Sequence, residues 1–224
     1  MEIKGTADEL FETGEAEYQK GNLEEALVYF QKVVDSGADS VALWYNLGTV
    51  YRKLKQYGEA IIAYRKALES KLDSADIWYN LGRCYWETSQ LDIAITCFER
   101  VVNLQPKMFE ALYRLAALYQ ATGNIDKAIW ANEELLIIEP QSFGSLTNLC
   151  VLYMKNNQLD KALENCLKAD KILPDDLFVL ALMGEIYLLK GNKKMAEKKL
   201  LECLAINSKY VKAKDLLEQV KKLK

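Results

Sequence analysis

Apolar residues recur along this chain at helical spacing, and the helical stretches come in pairs. Trp44, Leu47 and Tyr51 follow one another at intervals of three and four, which places them on one face of a helix. After a short polar turn, residues 60–68 repeat this spacing. The pattern predicts two antiparallel helices joined by a tight turn.

The helix pair recurs every 34 residues along the chain. The prolines keep this step at Pro106, Pro140 and Pro174. Six alanines keep it without a gap: Ala26, Ala60, Ala94, Ala128, Ala162 and Ala196. A fixed period of this length is the signature of stacked repeats. We therefore predict a single array of six repeats, at 7–40, 41–74, 75–108, 109–142, 143–176 and 177–210, with a closing helix at 211–224, which makes thirteen helices in all.

Two positions of the repeat have a mechanical explanation. The eighth residue is small throughout: Gly14, Gly48, Gly82, Ala116, Cys150 and Gly184. Because glycine inside a helix costs about 1 kcal/mol relative to alanine, its recurrence predicts that the two helices of a pair cross closely there. The turn between the helices holds residues that tolerate the left-handed conformation: Gly21, Gly123, Asn157 and Gly191. The closing helix carries an apolar stripe: Ala213, Leu216, Leu217, Val220 and Leu223.

The repeat resembles a known family. The motif W-x-x-L-G-x-x-Y, followed by alanine, an aromatic residue and proline, is present almost in full at 44–51 and 78–85 and resembles the tetratricopeptide repeat. The resemblance covers about nine tenths of the chain, with departures at Thr13, Glu17 and Asn132. It implies an all-α fold, a right-handed superhelical solenoid of antiparallel helix pairs whose first helices line a concave groove.

The resemblance also identifies the residues that would face this groove: Tyr45, Asn46, Arg52, Tyr79, Asn80, Arg83, Tyr113, Arg114 and Asn148. An asparagine side chain both donates and accepts, so the three asparagines can hold the backbone of a bound segment. The tyrosines supply contact area, and the arginines favour a partner with acidic groups. The alternative is that these asparagines and tyrosines serve the scaffold, since both types are common at these positions in the family.

Charge and hydropathy narrow the possible functions. The 29 basic and 32 acidic residues give a net charge of −3, which argues against a general nucleic-acid binder, because such proteins present a basic face to phosphates. No apolar run reaches the roughly 18 residues that a membrane span needs. The first residues lack the apolar core of a secretory signal, so we expect a cytoplasmic location.

The residues that most often carry catalysis or bind metals are scarce. The chain has no histidine, which removes the commonest general base and metal ligand. Its five cysteines are scattered without a C-x-x-C pair, so we expect them to be buried and reduced, with a disulfide or a metal site as the less favoured alternative. We predict no enzyme activity, no catalytic or metal-binding residue and no cofactor.

The function that these features favour is a protein-protein interaction adaptor or scaffold whose groove binds a peptide or helix of a partner protein. Two alternatives remain. Residues 1–40 carry a net charge of −7 and residues 193–224 a net charge of +6, which permits head-to-tail self-association into a structural scaffold. The chain can also be the regulatory arm of a larger enzyme such as a glycosyltransferase.

Overall fold

The computed structural model describes residues 5–222, and all regular structure within them is helical. The helices are α1 (Ala7–Lys20), α2 (Leu23–Asp35), α3 (Val41–Lys53), α4 (Tyr57–Ser70), α5 (Ala75–Glu87), α6 (Leu91–Leu104), α7 (Phe109–Ala121), α8 (Ile125–Ile138), α9 (Phe143–Lys155), α10 (Leu159–Ile172), α11 (Leu177–Leu189), α12 (Lys193–Ile206) and α13 (Val211–Lys222). The all-α fold built from consecutive helix pairs, as the sequence predicted, is confirmed over these residues.

Local signals set where the helices begin and end. Thr6 caps α1 through its side chain, which accepts a hydrogen bond from the amide of Glu9, and the Glu9 carboxylate accepts one from the Thr6 amide in return. Ser40 and Asp176 cap α3 and α11 in the same way. The turns between paired helices share a left-handed residue at one position, and the φ angle there is positive at Gly21, Lys55, Ser89, Gly123, Asn157 and Gly191. The prediction for the three glycines and Asn157 is confirmed, and Lys55 and Ser89 join them.

The chain divides into two compact units, with unit 1 ending at Ala111 and unit 2 beginning at Leu112. In unit 1, α1 packs against α2, α3 against α4 and α5 against α6. Contacts between α2 and α3 and between α4 and α5 join successive pairs, and α3 also contacts α1 and α5. The three first helices therefore lie side by side.

The small position of each repeat in unit 1 lies where its two helices cross. A Cβ on Gly48 would come within 2.7 Å of the Tyr64 ring, and one on Gly14 within 2.8 Å of the Phe30 ring. Both distances are too short for real carbon contacts, so only glycine fits without a shift of the ring. The predicted reason for the small residues is confirmed. The eighth residue of a repeat and the residue sixteen positions later are called the crossing pair below.

In unit 2, α9 packs against α10, α11 against α12, and α13 against α11 and α12. The buried apolar stripe of α13 consists of Ala213, Leu216, Leu217 and Val220, while Leu223, assigned to the same stripe from the sequence, lies outside the described residues. The crossing pair of α9 and α10 is a disulfide between Cys150 and Cys166.

The disulfide corrects one sequence-based expectation. Five reduced cysteines were expected, and this is wrong for Cys150 and Cys166, which the crossing brings to a Cα–Cα distance of 5.6 Å, within the usual range for a disulfide. Cys84, Cys97 and Cys203 are free and buried, as expected. The sequence already placed the two joined cysteines at the small position and the aromatic position of one repeat, but not the fact that these positions face each other.

Candidate binding surface

Six of the nine predicted groove residues lie on one surface of unit 1. This surface, formed by α1, α3 and α5, is called the first-helix face. Helix α3 contributes Tyr45, Asn46 and Arg52, and α5 contributes Tyr79, Asn80 and Arg83. All six side chains are half-buried, so each is held by its neighbours and still reaches the solvent. The other three predicted residues lie in unit 2, with Tyr113 and Arg114 on α7 and Asn148 on α9.

Each first helix of unit 1 contributes one aromatic ring that rests on the aromatic ring of the crossing pair. The ring centres lie 5.6 Å apart for Phe11 and Phe30 and 6.0 Å apart for Tyr45 and Tyr64. The third pair repeats this arrangement at 5.6 Å, with Tyr79 on Phe98. Tilted and edge-on pairs at such distances are favourable beyond their buried area. The row of aromatic rings on the first-helix face is therefore anchored to the core of unit 1.

The two asparagines of this face keep their acceptor oxygens open. Asn46 donates from Nδ2 to Glu15 Oε1 at 2.9 Å, which links α3 to α1. Asn80 donates from Nδ2 to the Asp76 carbonyl at 3.0 Å, and the same nitrogen lies 3.4 Å from the hydroxyl of Tyr45. Neither Oδ1 accepts a hydrogen bond from residues 5–222. Both side chains are oriented by the scaffold and still present an acceptor.

The cationic side chains of the face differ in how they are held. Lys53 lies over the ring of Tyr18, with Nζ 4.2 Å from the ring centre. Arg83 lies beside the ring of Tyr79, 5.9 Å from its centre. Arg52 has a buried Nε with no hydrogen-bond partner. Neither arginine forms an ion pair within the part of the chain that the structure describes.

The ionisable groups beneath this face stay protonated at neutral pH. Burial raises the pKa of Tyr64 to about 12, against the opposing effects of Thr49 and Arg52. Burial likewise raises the pKa of the Cys84 thiol to about 11, against the charges of Arg52 and Arg83. Groups of this kind are poor nucleophiles at neutral pH. The face offers hydrogen-bond acceptors, flat aromatic area and two positive charges, which suit binding.

The corresponding positions of unit 2 carry different chemistry. Asn148 donates from Nδ2 to Oδ1 of Asn132 at 3.3 Å, and Asn132, only 1% exposed, itself donates to the Ala128 carbonyl. Tyr113 is 55% exposed, and Arg114 is half-buried. Steps of 34 residues from Arg52 and Arg83 lead in unit 2 to apolar residues, all half-buried: Val151, Met154 and Leu188.

A second kind of groove, which the sequence did not indicate, lies between the second helices of neighbouring repeats. In unit 1 it measures about 280 Å³ and is lined by Arg65 and Tyr85, with Trp78 and other apolar residues. In unit 2 the equivalent groove measures about 500 Å³, and there Tyr153 donates a hydrogen bond to Glu133. Burial raises the pKa of both tyrosines, which Arg65 opposes at Tyr85 and Glu133 reinforces at Tyr153. Their shared 68-residue offset is the sequence signal that would have located them.

Two further searches of the structure gave negative results. Among residues 5–222, no group of three or more cysteine, aspartate or glutamate side chains is arranged to hold a metal ion. No helix in the same range is both long and apolar enough to cross a membrane.

Comparison with known proteins adds the family. Residues 39–107 and residues 79–143 each match a family model described as tetratricopeptide repeat. No curated protein sequence matches the chain significantly.

Solved structures with the same fold are numerous. The MamA protein is 24% identical with a TM-score of 0.67, over 75% of this chain and 91% of its own. YrrB, solved as a TPR protein with an unusual peptide-binding site, is 25% identical with a TM-score of 0.66, over 76% and 88%. PilF of Pseudomonas aeruginosa is 17% identical with a TM-score of 0.59, over 95% and 97%. In all, 466 solved chains match, so the fold by itself does not select a partner.

Proposed function

This chain is a tetratricopeptide repeat protein, and we propose that it is a non-catalytic adaptor or scaffold that binds a peptide or helical segment of a partner protein on its first-helix face. The observation that carries the proposal is the repeated pair of an anchored tyrosine and an oriented asparagine. Tyr45 with Asn46 and Tyr79 with Asn80 present the same two groups one repeat apart.

The two side chains of each pair have complementary roles. The open Oδ1 of each asparagine can accept a backbone N–H of an extended segment, whatever its side chains are. The tyrosine rings lose little conformational freedom on binding because they already rest on buried rings, so more of the contact energy appears as affinity. In unit 2, Tyr113, Arg114 and Asn148 extend the proposal as further contacts. YrrB, with its peptide-binding site, supports this kind of function for the fold.

The proposal includes no catalysis, no cofactor, no nucleic acid and a cytoplasmic location. It is supported by the absence of histidine and by the protonated state of the buried tyrosine and thiol below the face. The net charge of −3 is also more consistent with protein partners than with nucleic acid.

The test compares an asparagine variant with a matched control. The Asn46→Ala/Asn80→Ala protein removes both acceptors from the first-helix face, and the Asn103→Ala/Gln105→Ala protein removes two exposed amides elsewhere in unit 1. Wild type and both variants, first matched for helicity, are used as bait in source-cell extract, and the recovered partner is then mapped with overlapping peptides.

We expect one partner segment to bind wild type and control equally and the asparagine variant about tenfold more weakly, as the loss of one or two hydrogen bonds predicts. Equal binding by all three proteins would refute the role of the first-helix face.

A second candidate is head-to-tail self-association, which the charge difference between the two ends favours. Residues 1–40 and 193–224 carry net charges of −7 and +6. Such contacts weaken as salt screens the charges, so sedimentation velocity at low and high salt should show association only at low salt. A monomer at both salt concentrations would eliminate this candidate.

A further inference from the structure

We propose that Arg52 and Arg83 form a subsite on the first-helix face that binds a carboxylate of the captured segment, so that the partner is an acidic peptide. This inference rests on the proposed function and specifies the class of partner. The two arginines lie on the neighbouring first helices α3 and α5, which contact each other.

Arg52 provides the first argument. Its Nε is buried and has no hydrogen-bond partner in the structure, whereas nearly all buried polar atoms in folded proteins have one. A guanidinium group cannot lose its charge to relieve this. An acceptor brought by a ligand would satisfy the buried N–H, and an anionic acceptor would do so most strongly.

The second argument is that the two positive charges converge. The hydrogen bond between Asn80 and Tyr45 joins α5 to α3 next to them. Arg52 and Arg83 both act on the same buried thiol, that of Cys84. Neither forms an ion pair with residues 5–222. Two unpaired guanidinium groups in reach of one point suit an anion with two oxygens, because the arginine fork matches a carboxylate.

The surrounding charges favour a carboxylate over a phosphate. Glu87 acts on the Cys84 thiol in opposition to the two arginines, and Asp76 acts on the hydroxyl of Tyr45. Lys53, the remaining cation of this region, lies over Tyr18. A phosphate group carries nearly twice the charge of a carboxylate, so these two acidic side chains would repel it more strongly.

The structure also limits the subsite to unit 1. In unit 2 the positions reached from these arginines by 34-residue steps hold Val151, Met154 and Leu188. These side chains offer no charge or hydrogen bond to an anion. We therefore expect the acidic residues of the partner to bind unit 1.

The experiment observes the arginines directly. The chain has five arginines, so their Nε–Hε resonances can be assigned in a ¹⁵N-labelled sample of the full chain. Three blocked pentapeptides serve as probes: acetyl-Gly-Glu-Gly-Glu-Gly-amide, its glutamine counterpart and its phosphoserine counterpart. Arg65 and Arg100 act as internal controls. The Arg52→Gln/Arg83→Gln variant is compared with Arg100→Gln/Lys107→Gln, which changes the charge of unit 1 equally.

We expect saturable shifts of Arg52 and Arg83 with the glutamate peptide, none with the glutamine peptide and none at Arg65 or Arg100. The Arg52→Gln/Arg83→Gln variant should bind the glutamate peptide at least about tenfold more weakly than its control. Uniform shifts at all five arginines, no saturable shift, or tighter binding of the phosphoserine peptide would each overturn the proposal. Partner binding that depends on Asn46 and Asn80 while the arginines stay silent would refute this inference alone and leave the proposed function standing.

Discussion

The two compact units close the same helix crossing with different chemistry. In unit 1 all three crossing pairs set a glycine against a buried aromatic ring: Gly14 with Phe30, Gly48 with Tyr64 and Gly82 with Phe98. In unit 2 the pairs are a disulfide, Cys150 with Cys166, and a glycine against an aliphatic side chain, Gly184 with Leu200. The remaining pair of positions holds Ala116 and the buried Asn132.

The difference teaches that the repeat specifies a distance between helices and leaves the means of filling it open. Where the crossing holds a ring, that ring also supports an aromatic side chain of the first-helix face, as Tyr64 supports Tyr45. Unit 2 has no ring at Asn132, Cys166 or Leu200, and its surface positions are more apolar. The chemistry of the core and that of the surface therefore change together.

The largest effect should come from removing a ring at a crossing. Phe98 is fully buried and supports Tyr79, so Phe98→Ala should lower the free energy of unfolding of unit 1 by about 4 kcal/mol, and Leu200→Ala that of unit 2 by about 3 kcal/mol. Hydrogen exchange of helix amides reports the two units separately in one sample. A smaller loss at Phe98 than at Leu200 would contradict the idea that the aromatic crossings contribute more.

The next effect should come from the disulfide. Cys150 and Cys166 are sixteen residues apart, and closing a loop of that length stabilises a fold by about 3 kcal/mol in the chain-entropy description. Reductant should therefore destabilise the wild-type chain by this amount and leave the Cys150→Ala/Cys166→Ala variant unchanged. Urea unfolding with and without reductant measures both.

Counting the thiols provides the control for the disulfide. In urea without reductant, the chain should show three reactive thiols, those of Cys84, Cys97 and Cys203. Five thiols in protein prepared with an alkylating agent present would contradict the disulfide. They would also agree with the cytoplasmic location expected from the sequence, because disulfides persist mainly in oxidising compartments.

Adding a single methyl group at a crossing should have a smaller effect. A Cβ on Gly48 would meet the Tyr64 ring at 2.7 Å, while one on Gly184 would meet the Leu200 side chain at 2.6 Å. The buried ring has no other place to go, whereas leucine can change rotamer. Overpacking costs about 1–3 kcal/mol and alanine regains about 1 kcal/mol of helix propensity. Thermal unfolding should show Gly48→Ala as less stable than Gly184→Ala by about 1 kcal/mol, and the reverse order would show that the ring yields more easily.

The scaffold was predictable from the sequence because its period is carried by residues with steric roles. Glycine at a crossing and alanine inside a pair allow few substitutions, so they recur at a readable interval. The positions of Tyr45, Asn80 and Arg83 on first helices followed from the same register.

Contacts between repeats were not predictable in this way. The bond from Asn46 to Glu15 joins residues 31 apart, and the link from Asn148 to Asn132 joins two helices whose side-chain directions a periodic pattern does not give. The unpartnered Nε of Arg52 depends on the packing of every neighbour around it, so only the structure reveals it.

The smallest effect concerns the turns, where the two units differ again. In unit 2 the left-handed turn residues are Gly123, Asn157 and Gly191, but unit 1 places Lys55 and Ser89 at this position. A left-handed conformation costs a residue with a side chain about 1–2 kcal/mol, and glycine gives back part of that gain through its freer unfolded state. Lys55→Gly should therefore raise the free energy of unfolding by about 0.5–1 kcal/mol, while Asn157→Gly should change it less, because asparagine tolerates this conformation. Urea unfolding compares the two, and an equal gain at both sites would show that the strain does not depend on which side chain occupies the turn.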